Sequence, residues 1–192
     1  MRYFLIIFDD IPIDKASVKS GNNSPEVITA ARCVNVGLFI SGNLRRDVVI
    51  SLAKGSPDDL KIISFPGDSL RRVSPDERSI SFFLMKALSI AEELAMDSFK
   101  TMDNGIETRR SNLKGFIESI APSRVYLSSP KFASESVDDG EYENSCLIYP
   151  IGKQLDLIKE DTTWTPEKLP YFPHPERLIL DVNMRVDMKK AS

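Results

Sequence analysis

The chain has 192 residues, 42% of them hydrophobic and 28% charged, with a formal net charge of −3. That length supports one buried core and fits a single domain over residues 1–192, and the acidic balance excludes a uniformly basic nucleic-acid coat. No stretch reaches the roughly 18 apolar residues of a membrane span, and two distant cysteines make no disulfide framework, so a cytoplasmic protein with no membrane association is expected.

The run Arg2 to Phe8 is too short for a signal-peptide core and ends at Asp9-Asp10, so it reads as a buried strand. Ile11 to Asn23 is polar and reads as a loop. Ser24 then offers an N-cap and Pro25 a first helical position, ahead of apolar residues at helical spacing to about Ile40. Asp47 to Ala53 and Lys61 to Phe65 are β-branched runs separated by Gly55-Ser56-Pro57, which gives two strands. A helix opens at Ser74-Pro75-Asp76-Glu77, where Ser74 and Glu77 form a capping box. Arg78 in its first turn opposes the helix dipole unless an anion answers it. A further helix covers Asn112 to Ile120, followed by strands at Arg124 to Ser128 and Ser145 to Tyr149. Ser134 to Asn144 is an acidic surface loop, and Pro166, Pro170, Pro173 and Pro175 precede a last helix at Glu176 to Lys189. Alternating strands and helices indicate an α/β fold with a largely parallel sheet.

Charge is uneven along the chain. Residues 1–44 balance at zero, residues 45–124 carry +1 and residues 125–192 carry −4, while the middle holds the pairs Arg45-Arg46, Arg71-Arg72 and Arg109-Arg110. Arginine forks match phosphate oxygens, so an RNA surface is expected there. Glycine-rich phosphate loops and nucleophile elbows are absent from the sequence. The one histidine, His174, sits between prolines, and Cys33 and Cys146 lack metal-ligand spacing and read as small buried hydrophobes. No metal is expected.

The segments Arg32 to Ile50 ("RCVNVGLFISGNLRRDVVI"), Gly67 to Leu88 ("GDSLRRVSPDERSISFFLMKAL") and Asn104 to Arg110 resemble the TrmY family of the SPOUT superfamily, archaeal tRNA pseudouridine-54 N1-methyltransferases. The resemblance spans about residues 26–118. It implies a SPOUT-like α/β sheet with flanking helices, a C-terminal trefoil knot, a homodimer, S-adenosylmethionine as methyl donor and tRNA as partner. It assigns Asp47 as proton acceptor or orienter of the base and Arg45 as its companion. By the same resemblance Arg46, Arg78, Arg109 and Arg110 face RNA, and Leu127, Tyr149, Pro150, Ile151, Gly152 and Leu169 line the cofactor site.

The C-terminal third departs from that pattern. Where the family carries a Gly-Asp-His turn, this chain has Pro150-Ile151-Gly152-Lys153-Gln154, and Pro170 and Pro173 follow the next strand position. Proline removes backbone donors of the kind that hold an adenine. Altered cofactor contacts, lost catalysis, an altered knot and a different alignment of the tail are all compatible with this. The alternative function is a non-catalytic SPOUT-fold RNA-binding or dimeric scaffold.

Overall fold

The computed structural model of the chain describes residues 1–130, 142–158 and 166–191. In chain order its elements are β1 (Arg2–Phe8), α1 (Lys15–Ser20), α2 (Pro25–Leu38), β2 (Phe39–Ile40), β3 (Asn43–Leu44), β4 (Val48–Ser56), β5 (Asp59–Pro66), α3 (Glu77–Glu93), β6 (Ser98–Thr101), β7 (Glu107–Ser111), α4 (Leu113–Ile120), β8 (Arg124–Ser128), β9 (Ser145–Pro150), α5 (Gln154–Leu157), β10 (Glu167–Leu169) and α6 (Pro175–Ala191).

Eight strands form one sheet in the order β10-β8-β9-β1-β4-β5-β7-β6, with β2 and β3 as a separate small pair. β1 lies between β4 and β9 and is parallel to both, with Arg2 opposite Val48 on one side and Ser145 on the other. A strand paired on both edges and covered on both faces must be apolar throughout, and Phe4, Leu5, Ile6 and Ile7 are completely buried. The two-residue alternation of a strand splits them between two cores. Phe4, Ile6 and Phe8 join the larger one with side chains from α2, α3 and α6, whereas Leu5 and Ile7 join the smaller one with Leu113, Phe116 and Ile117 of α4.

The expected α/β layering is present, but only half of the sheet is parallel. β10, β8, β9, β1 and β4 run together, whereas β5, β7 and β6 continue in antiparallel fashion. The turn after Ser56 closes a hairpin in which Ser56 faces Asp59, so no crossover helix separates these strands. β6 and β7 were not expected, because the sequence of β7 is polar although Thr108 and Ser111 are buried.

Two local readings change. The segment read as a loop contains α1, whose N-cap Asp14 accepts from the Ala16 and Ser17 amides and whose C-cap is Gly21 in a left-handed conformation. It buries only Val18, so no apolar stripe marks it. α3 begins at Glu77 rather than at Pro75, because Asp76 is the N-cap and accepts from the Ser79 amide at 2.8 Å. Ser74 is not the cap; its amide donates to Ser79 Oγ. The acidic loop expected at Ser134 to Asn144 lies, up to Glu141, outside the described residues. Cys33 and Cys146 are fully buried free thiols, as expected, and burial pushes the Cys146 thiol up to about 12. No helix among the described residues is long and apolar enough to cross a membrane.

α6 lies across α2 at a close approach. A Cβ on Gly37 would stand 2.4 Å from Ile50 Cδ1 and 3.3 Å from Ile179 Cγ2, and Asn183 Nδ2 donates to the Gly37 carbonyl. Gly37→Ala is therefore expected to destabilise the protein by about 1–3 kcal/mol through overpacking, a loss of roughly 2–4 °C in Tm per kcal/mol. In a double-mutant cycle by thermal unfolding, adding Ile50→Val should recover part of it; additive losses would mean that the two side chains do not meet.

Candidate active site

Parallel strands that end together leave a crevice beyond their carboxyl ends, the usual place for a ligand in such sheets. Here the crevice lies beyond β1 and β9 and has a volume of about 230 Å³. Phe8, Tyr149 and Ile151 form its floor; Pro25, Glu26 and Thr29 of α2 form one wall, and Tyr171, Pro173 and His174 the other. The rings of Tyr149 and Tyr171 stack with centroids 5.5 Å apart. The Tyr149 hydroxyl donates to the Phe172 carbonyl, and burial together with the neighbouring Tyr171 raises its pKa, so it stays a neutral donor.

The turn after β9 is held by β1. Ile151 N donates to the Ile7 carbonyl at 2.8 Å. Asp9 Oδ2 accepts from Lys153 N at 3.0 Å and Asp9 Oδ1 from Gln154 Nε2 at 3.2 Å, while the same amide group of Gln154 reaches the Gly55 carbonyl at 3.0 Å. Gly152 sits at φ +63°, and a Cβ there would stand 2.3 Å from Asp9 Oδ2. Asp9, just after β1, thus supplies the carboxylate that fixes this turn.

The other end of β1 carries charge. Arg2, 1% exposed, donates to Asp47 Oδ2 at 3.0 Å. Arg45, the companion expected for Asp47, pairs instead with Asp187 of α6 at 2.9 Å and also donates to the Val36 carbonyl. Burial lowers the pKa of the Arg2 guanidinium, an effect opposed by the Asp47 and Asp187 charges. β1 rises about 3.3 Å per residue, so roughly 20 Å of strand separates Asp47 from the crevice of the same chain.

The expected RNA-facing arginines differ in freedom. Arg46 donates to the Gly67 and Asp68 carbonyls. Arg109 lies over the exposed ring of Phe99, 5.4 Å from its centroid. Arg110 makes a two-pronged bridge to Asp59 at 2.8 and 2.9 Å and donates to the Leu94 carbonyl. Arg78 lines a groove with Lys15 and Lys19 of α1. Of the expected cofactor residues, Tyr149 and Ile151 line the crevice; Pro150 ends β9, Gly152 lies in the turn beside it, and Leu169 is buried in the larger core. Leu127 points to the opposite face, among Leu5, Ile7 and Ile148.

Residues 1–163 match the family described as "Putative SAM-dependent RNA methyltransferase". The chain belongs to this family. Among curated proteins it is similar to the tRNA (pseudouridine(54)-N(1))-methyltransferase of Methanococcus vannielii, at 33% identity over 71% of this chain and 68% of that one. It is also similar to proteins of the same name from Methanococcus maripaludis strain C7, at 39% identity over 83% of each chain, and from Methanocaldococcus jannaschii, at 32% over 71% and 67%.

Sequence reasoning missed Arg2, Asp9 and Gln154. Arg2 and Asp9 flank the apolar run of β1 and read as strand ends, and the three meet their partners only through pairings of long sequence separation. Arg110 generates a prediction of its own. Its bridge, with help from Lys61, holds the Asp59 carboxyl at about 2, below the ordinary value near 3.9. A depressed carboxyl stabilises the fold fully above the unfolded value and loses that contribution as pH falls through the folded one. The stability advantage of the native protein over Asp59→Asn, measured by urea unfolding, should be constant above about pH 5 and vanish toward pH 2. An advantage that persists unchanged at pH 2 would show that the bridge does not act through charge.

Proposed function

We propose that this protein methylates N1 of pseudouridine 54 in tRNA with S-adenosylmethionine as donor, and that it works as a homodimer. The observation that carries the reading is the crevice at the carboxyl ends of β1 and β9 in a chain that belongs to a methyltransferase family. Its stacked tyrosines suit a flat adenine. The Glu26 carboxylate suits a cationic ligand, and Glu176 of α6 lies close enough to add to the field at Tyr149. When bound, S-adenosylmethionine supplies an electrophilic methyl group whose bond to sulfur breaks as the bond to N1 forms.

The chain's task is then to place the base and remove the N1 proton. The resemblance assigns that proton to Asp47, and Arg2 holds the carboxylate in place as an ion pair. Asp47 lies at the wrong end of β1 to serve the crevice of its own chain, so a second copy must present it. Exposed Met184 and Met188, one turn apart on α6 at 52% and 68% exposure, offer an apolar strip on which two copies could meet. The knot is supported by the same region: β10 pairs with β8 outside β9, and Ser128 Oγ donates to the Pro170 carbonyl at 2.9 Å. The tail thereby returns over the strand ends before α6 reaches α2.

One observation favours the second reading, a non-catalytic RNA-binding scaffold. The amides of Ile151 and Lys153 are already used within the chain, and Pro150 and Pro173 have none to give. Nucleoside mass spectrometry of a pseudouridine-containing tRNA arm separates the two. We expect one added methyl with the native protein and a kcat reduced by about 10²- to 10⁴-fold in Asp47→Asn. Gly152→Val, which collides with Asp9, should lose cofactor binding, and mixed dimers of the two variants should regain turnover. An unmodified nucleoside with native protein sinks the enzyme reading; inactive mixed dimers would sink the shared site.

A further inference from the structure

A second concavity is larger than the crevice. It is a groove of about 420 Å³ between α1 and α3. Val18, Phe82 and Met85 make its apolar floor, and Lys15, Lys19 and Arg78 stand at its rim. Phe82, in the second turn of α3, is 38% exposed and belongs to neither core. Lys86 holds its ammonium 4.4 Å from the centre of that ring, which adds a fourth cation.

Among the described residues, no carboxylate forms an ion pair with these cations. Asp76 caps α3, Asp14 caps α1 with both Ala16 N and Ser17 N, and Glu77 accepts from Asn23 Nδ2 at 2.8 Å. An aromatic floor ringed by long cations fits one kind of ligand especially well: a flat ring carried on a phosphate backbone. The ring stacks on the aromatic, and the phosphates on either side meet the lysines and the arginine. An apolar peptide segment would cover the floor but leave the cations unanswered, and a duplex presents no free ring to enter.

We propose that the groove between α1 and α3 binds an unpaired nucleobase of the RNA, away from the reacting base, with Phe82 as the stacking surface and Lys15, Lys19 and Arg78 on the flanking phosphates. This rests on the reading of the protein as a tRNA methyltransferase. It gives Arg78 the anion that its place in the first turn of α3 calls for.

The test is the affinity of fluorescently labelled tRNA for the full chain, read by anisotropy over a range of salt. Phe82→Ala should weaken binding by about 5- to 150-fold, the loss of one stacked base, while Phe82→Trp should bind as the native protein does. Lys19→Gln and Arg78→Gln should each lower the slope of log affinity against log salt by about 0.7. Equal affinity of Phe82→Ala and native protein, with unchanged salt slopes in the two charge variants, overturns the groove and leaves a protein segment as its occupant. Should Phe82→Ala fail to fold, the charge variants and Phe82→Trp decide alone. Native protein that binds no tRNA overturns the groove and the enzyme reading together, which distinguishes that failure from the first.

Discussion

The burial of β1 between two parallel neighbours is the constraint on which the remaining structure depends. Each large apolar side chain taken fully out of water contributes about 1.5–3 kcal/mol, and β1 places four consecutive residues at zero exposure. Such a strand cannot slip by one residue without moving its whole apolar set to the wrong face. Its two ends are therefore fixed points. One end places Arg2 against Asp47; the other places Asp9 beneath the turn at Gly152.

Those ends define two chemically different regions joined by the same rigid strand. The carboxyl end is aromatic and acidic and suits a flat, cationic cofactor. The amino end is a buried guanidinium with a half-exposed carboxylate, 42% exposed at the Asp47 side chain, and suits a base waiting for a proton. The length of β1 keeps them apart within one copy, so the proposed chemistry and the proposed homodimer follow from one dimension. α6 contributes to both regions: its first turn borders the crevice, and Asp187 near its end holds Arg45.

Much of this was legible in the sequence. The apolar run of β1, the Ser24-Pro25 start of α2 and the strands at 124–128 and 145–150 carry their signals locally, and ordered motifs from Arg32 to Arg110 carried the family. What stayed hidden did so for physical reasons. α1 buries one side chain, so its period is invisible, and β7 carries Arg109 and Arg110 on opposite faces, so no apolar alternation marks it. The capping residue of α3 was misread because Ser74 and Asp76 are both competent acceptors, and only the backbone decides between them. The turn at Pro150 to Gln154 looked damaged because the carboxylate that holds it, Asp9, lies outside it. Asp9 lies 145 positions from Gln154 in the sequence and 3.2 Å from it in space, a relation no local pattern encodes. Arg45 and Asp47 sit two residues apart and invited pairing, but a parallel neighbour and a distant helix supplied their partners.

The account stands or falls on the crevice as a working cofactor site despite its prolines. Calorimetric titration of the purified protein with S-adenosylhomocysteine measures that directly, without requiring RNA or turnover. Saturable binding of one ligand per chain, lost in Tyr171→Ala, is the result the structure predicts. Heat indistinguishable from buffer at millimolar ligand would contradict it and leave the fold as an RNA-binding scaffold.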